Sequence, residues 1–67
     1  MTYAEKLRTL RLAAGLTQLK LGMACGYAKS SADRIVRHWE SGTEYPPIDR
    51  LRLLAAALKV PLDAIIP

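Results

Sequence analysis

Apolar residues recur along this chain at steps of three and four, and no long stretch alternates apolar with polar. Tyr3, Leu7, Leu10 and Ala14 fall on one face of a helix. Just ahead, Thr2-Tyr3-Ala4-Glu5 reads as a capping box. In it the Thr2 hydroxyl accepts from the Glu5 N–H, and Glu5 reaches back to the Thr2 N–H. A first helix is therefore predicted to about Ala14, with Gly15 as the left-handed residue that ends it. Thr17 caps a second helix reaching about Cys25, with Leu21, Ala24 and Cys25 as its core face. Gly22 has no side chain, so a crossing helix can pack closely there, and Gly26 ends the helix.

Ser30-Ser31-Ala32-Asp33 is another capping signal, with Asp33 near the positive end of a helix dipole. Ala32, Ile35, Val36 and Trp39 then line one face of a third helix, and Ser30, Asp33, Arg34 and Arg37 line another. Gly42 stops it. Residues 43–47 form a loop, because Pro46-Pro47 cannot sit inside a helix. Pro47 suits the first turn of a fourth helix over residues 48 to about 58. Its buried stripe is predicted as Ile48, Leu51, Leu54, Ala55 and Leu58. Residues 60–66 add a last short turn. The pattern amounts to five helices and no strand.

Size and composition narrow the class. The chain has 67 residues, which predicts one domain over 1–67. A domain this small buries only about 60% of its unfolded surface, so its stability is marginal. Hydrophobic residues make up 51%, enough for a core and too many for a disordered tail. The single cysteine forms no internal disulfide, which fits a cytoplasmic setting better than a secreted one. No apolar run of roughly 18 residues exists. The most apolar stretch, residues 51–66, is interrupted by Arg52, Lys59, Pro61 and Asp63. The N-terminus lacks the basic-then-apolar pattern of a signal peptide. Ten Lys+Arg against six Asp+Glu give a net charge of +4, which favours a polyanionic partner without proving one.

One segment carries more than these bounds. It opens with Gly15-Leu16-Thr17-Gln18, passes Gly26 and closes with Trp39-Glu40-Ser41-Gly42. A short helix, a tight turn and a second helix fit between those landmarks. That is the layout of a helix-turn-helix, which places its second helix in the major groove of DNA.

With these residues the chain resembles the Cro/repressor (XRE-type) family of helix-turn-helix DNA-binding domains. The likeness covers nearly the whole chain. It begins at Leu10-Arg11 and continues through Pro46, Ile48, Leu51, Leu54-Ala55, Leu58, Val60 and Leu62-Asp63. It implies an all-α fold, a compact five-helix bundle of the lambda-repressor-like type. The chain departs from the family between Gly26 and Trp39, a segment about four residues longer here, roughly one helical turn. The extra residues either lengthen helix three at its N-terminus, with Ser30 as cap, or bulge outward over residues 27–31. The capping signal at Ser30 and Asp33 favours the longer helix.

The resemblance implies a DNA-binding set. Gln18 at the start of helix two contacts the DNA backbone in such domains, and first-turn N–H groups suit a phosphate oxygen. Lys20 is a cation at the wrong end of a helix dipole, a cost that a nearby phosphate offsets. Lys29, Ser30, Ser31, Arg34 and Arg37 are the recognition candidates, since Arg donates twice to guanine and Ser bonds base edge or phosphate. Each has a plainer alternative as a solvated polar face. Asp33 is expected to pair with Arg37 four residues on. His38 and Thr43 are further phosphate candidates, while Glu44 has the wrong sign for that role. Trp39 belongs in the core. Arg11 and Glu40 are expected to form a partly buried structural ion pair between helices one and three, as the family's equivalents do.

Enzyme chemistry is not expected. One Cys and one His are too few for a zinc site, and no cofactor motif is present. Cys25 is expected to pack as a small apolar residue. The leading reading is a transcriptional repressor acting on double-stranded DNA as a homodimer, cytoplasmic, and nucleoid-associated when bound. Leu58, Val60, Leu62, Ile65 and Ile66 are the dimer-interface candidates. The alternative is a protein-interaction module, antitoxin-like or anti-repressor-like, with weak DNA affinity. It would use Leu19 and Met23, which share a face of helix two with apolar character. Leu12, Leu53 and Ala56 are further apolar residues at positions often polar in the family. Lys59 stands where the family often has Gly, which makes the end of helix four less favourable.

Overall fold

Thr2 and Glu5 start the first helix in the computed structural model, which describes residues 1–67 throughout. Helix α1 spans Tyr3–Ala13. The Glu5 N–H donates to Thr2 Oγ1 at 3.1 Å, and the Thr2 N–H donates to Glu5 Oε1 at 2.9 Å. The Thr2 backbone N–H first, and the Thr2 hydroxyl after it, hold the Glu5 carboxyl below the usual carboxylate range. Helix α2 spans Gln18–Ala24, and the Thr17 hydroxyl accepts from the Lys20 N–H at 3.0 Å. Helix α3 spans Lys29–Ser41. A 3₁₀ turn at Ile48–Arg50 leads directly into α4, Leu51–Leu58, and a second 3₁₀ turn covers Leu62–Ala64. Gly15, Gly26 and Gly42 all have positive φ and mark the three predicted stops.

The chain thus has four α-helices rather than the expected five. The final segment closes as a single 3₁₀ turn, with the Ala64 N–H bonded to the Pro61 carbonyl. Pro61, extended at φ −63° and ψ 152°, fixes the entry to that turn, and Ile65 leaves helical geometry at φ −124° and so closes it.

Helix α3 runs for 13 residues, so residues 29–31 belong to the helix and not to an outward bulge. Its N-cap is Ala28, not Ser30, and no side chain caps it. The Ser31 and Ala32 N–H groups both bond the Ala28 carbonyl, so Ser30 already lies inside the first turn. Ala28 is extended, at φ −66° and ψ 149°, and delivers the chain straight into the helix.

Packing of α2 on α3 is the tightest contact in the fold. A Cβ placed on Gly22 would lie 2.7 Å from the Ala32 Cβ and closer still to the Ala32 carbonyl oxygen. Ala32, Val36 and Trp39 face inward from α3 and Leu21 and Cys25 from α2. Leu7, Leu51, Leu54, Ala55, Leu58 and Ile65 complete the core. The Tyr3 hydroxyl donates to the Ile65 carbonyl at 2.7 Å, tying α1 to the C-terminal turn.

Two predicted core assignments differ. Ala24 is exposed, since α2 turns Leu21 and Gly22 inward and the buried Cys25 is its C-cap. Ile48 is 86% exposed, because residues 48–50 wind as 3₁₀ and the α-helical stripe begins only at Leu51. Tyr27 packs toward α3. Its ring meets Trp39 edge-on at 5.9 Å, and Met23 stays exposed. Lys59 takes the left-handed conformation at φ 59°, ending α4 where a glycine would be unstrained.

Candidate nucleic-acid interface

Arg11 and Glu40 set the frame. Arg11 Nε donates to Glu40 Oε2, and Nη2 donates to Oε1 at 2.9 Å. Both side chains are nearly buried, at 9% and 5% exposure. Arg11 Nη1 also bonds the Leu16 carbonyl at 3.0 Å, and Gln18 Nε2 donates to Glu40 Oε1 at 3.3 Å. One bidentate pair therefore joins the end of α1, the approach to α2 and the end of α3. Buried charges are tolerable only when their remaining hydrogen-bonding capacity is met, and here it is.

Above this pair lies an open cleft without an apolar lining residue. Arg8 enters from α1, Thr17 and Gln18 from the start of α2, and Arg37 and Ser41 from α3. Arg8 is a site residue that the linear pattern does not single out. Its signal is its place three residues before Arg11, on the same side of α1.

The other outward residues of α3 extend away from the cleft. Arg34 is exposed and makes no ion pair, whereas Arg37 Nη2 meets Asp33 Oδ2 at 3.1 Å. Both partners of that pair are well exposed, so it is easily exchanged for a phosphate. Lys29 and Ser30 are exposed at the far end, roughly 12 Å along the helix from Arg37 at 1.5 Å per residue. Ser31 is half-buried, and its hydroxyl turns back to the Ala28 carbonyl at 3.4 Å.

Gln18 is half-buried with its amide nitrogen engaged by Glu40. Lys20 is exposed and without an ion pair. His38 is half-buried, and its carbonyl accepts from the Thr43 and Glu44 N–H groups and the Ser41 hydroxyl. The Thr43 hydroxyl lies 2.8 Å from the Ser41 hydroxyl. The fold thus brings Gln18 and Arg37 into one cleft. It places Lys29, Ser30 and Arg34 along the adjoining helix face, and sets Thr43 beyond the helix end.

No group of three or more His, Cys, Asp or Glu side chains is arranged to hold a metal ion. Burial pushes the Cys25 thiol up to about 11, which keeps it protonated and poorly nucleophilic at neutral pH. No helix is long and apolar enough to cross a membrane.

Residues 7–65 match the family profile described as Helix-turn-helix. The chain belongs to that family, in its Cro/repressor (XRE-type) form. As a member it is a DNA-binding helix-turn-helix regulator. No curated protein and no solved structure matches it. In the helix-turn-helix, α2 is the first helix and α3 the second.

The dimer candidates divide. Leu58 and Ile65 are 4% and 1% exposed, inside the domain's own core, so neither presents a surface to a second copy. Val60 is half-buried. Leu62 and Ile66 face outward and line an apolar groove with Ile48, Leu51 and the stem of Arg52.

Proposed function

We propose that this chain is a sequence-specific regulator of transcription, a repressor that binds its operator as a homodimer with α3 in the major groove. The observation that carries this reading is the division of α3 into two faces. Ala32, Val36 and Trp39 are buried, while Ser30, Arg34 and Arg37 form an outward row backed by that rigid core. Arg34 and Arg37 supply bidentate donors for guanine, and Ser30 adapts to base or phosphate. Arg8, Gln18 and Lys20 flank the row and suit the phosphate backbone. Repression follows from occupying a promoter.

Homodimer formation is assigned to the groove of Ile48, Leu62 and Ile66, the outward apolar residues at the C-terminal end. Two copies would read half-sites about 34–36 Å apart. Selection from a random duplex DNA pool at two salt concentrations tests the whole reading. An enriched motif with two-fold symmetry supports a dimeric regulator. Retention with steep salt dependence and no motif overturns base reading and leaves phosphate binding alone. No retained DNA at either salt favours the protein-interaction alternative, for which Met23, 47% exposed, and the neighbouring Leu19 are the surface to mutate.

A further inference from the structure

Helix α3 begins without a side-chain cap. Arg50, far away in sequence and half-buried, reaches that point from the 3₁₀ turn before α4. Its Nη1 donates to the Cys25 carbonyl at 3.1 Å. That carbonyl lies at the C-terminal end of α2, where a cation also meets the negative end of the helix dipole. The guanidinium plane sits 4.6 Å from the centre of the Tyr27 ring. Tyr27 in turn packs edge-on against Trp39 of α3 at 5.9 Å.

Gly26 makes the arrangement possible. Its φ is +91°, and a Cβ there would lie 2.7 Å from Arg50 Nη1. The left-handed conformation between Cys25 and Tyr27 strains any other residue, and a Cβ there would also displace the flexible guanidinium end of Arg50. Arg50 thus touches the end of α2 and the turn, and through Tyr27 it braces α3. A lysine could reach the carbonyl but would lack the planar group that stacks on tyrosine.

We infer that Arg50 is a positioning residue for base reading: it clamps the turn between α2 and α3 and so fixes where Lys29 and Ser30 lie on DNA. The inference rests on the proposed role of α3 in the major groove. Arg50 itself need not touch DNA. Its effect is on the precision with which the first turn of α3 is presented.

The test is random-duplex selection with the wild-type chain, Arg50→Met, Arg50→Lys and Tyr27→Leu, alongside thermal melting of each. Arg50→Met and Tyr27→Leu are expected to keep the salt dependence of binding to random duplex DNA. They should lose about tenfold in discrimination at the base positions nearest the start of α3, the scale of one well-placed bidentate contact. Arg50→Lys should fall between them and wild type. If Arg50→Met fails to melt cooperatively, Arg50→Lys and Tyr27→Leu carry the comparison.

Folded variants that select the wild-type motif at wild-type enrichment would overturn the clamp and leave the DNA-reading assignment standing. So would a uniform loss of affinity for all sequences with an unchanged motif, which is what a merely structural role would produce. A wild-type chain that enriches no motif would overturn both.

Discussion

Gly22 on α2 and Ala32 on α3 approach so closely that no carbon fits between them. The approach fixes how the first helix of the helix-turn-helix crosses the second. Gly22→Ala forces the helices apart, an overpacking that costs about 1–3 kcal/mol. In a domain of this size each kcal/mol lowers Tm by about 4–8 °C. Thermal melting followed by circular dichroism measures it, and an unchanged Tm would show that the helices do not meet there.

The Arg11–Glu40 pair makes a second, opposite-looking prediction. Arg11→Met alone leaves a nearly buried carboxylate without its partner and should cost about 3–5 kcal/mol. Arg11→Met combined with Glu40→Leu removes both charges and should recover most of that loss. Urea unfolding of the four chains of the double-mutant cycle decides it. Additive losses would mean that the two side chains do not interact.

Stability should also fall in alkali. Burial is the main cause that raises the Tyr3 phenol from 10.0 to about 12, and it raises the Cys25 thiol from 9.0 to about 11. Each folded group holds its proton more tightly than the unfolded one. Its contribution is therefore complete below the unfolded pKa and is lost as pH rises through the folded one. Stability should decline from about pH 9 to about pH 12. Tyr3→Phe removes the hydrogen bond to Ile65, costing about 0.5–1.5 kcal/mol at neutral pH, and should flatten the upper part of the decline. Melting curves across this range test the assignment, which fails if Tyr3→Phe follows the wild-type curve in shape.

Charge reversal addresses binding directly. Arg34→Glu with Arg37→Glu should abolish DNA retention while shifting stability by less than about 1 kcal/mol, since the only ion pair disturbed is an exposed one. Milder replacement of either arginine by Met should weaken binding and lower the salt slope by about 1 where that side chain contacts phosphate. Duplex affinity unchanged by the double reversal would remove α3 as the reading helix.

Much of this architecture is legible in the chain because its signals are local. The Thr2/Glu5 capping box, the Thr17 cap and the stops at Gly15, Gly26 and Gly42 all act within one turn of helix, and each lies where the pattern puts it. The Arg11–Glu40 contact spans 29 residues and was accessible only through family likeness. Arg50 had no such help. Its partners Cys25 and Tyr27 are more than twenty residues away, beyond the reach of any helical period.

The linear pattern and the fold part where two physical rules compete. Ile48 continues the apolar spacing of α4 backward, but the Arg50 N–H bonds the Pro47 carbonyl in a 3₁₀ turn, and the tighter winding turns Ile48 outward. Ser30 has the right chemistry for a cap, yet the turn delivers Ala28 to that position. Apolar character alone does not distinguish a domain's own core from an interface, and Leu58 and Ile65 belong to the core.

The turn Ile48–Arg50 points two ways at once. Ile48 stands on the outer surface beside Leu62 and Ile66, and two residues later Arg50 is folded inward onto Tyr27. A molecule covering Ile48 therefore grips the same short piece of backbone that steadies the start of α3. If such docking stiffens that piece, it raises the affinity for DNA, and thermodynamic reciprocity requires DNA to raise the affinity for docking by the same factor.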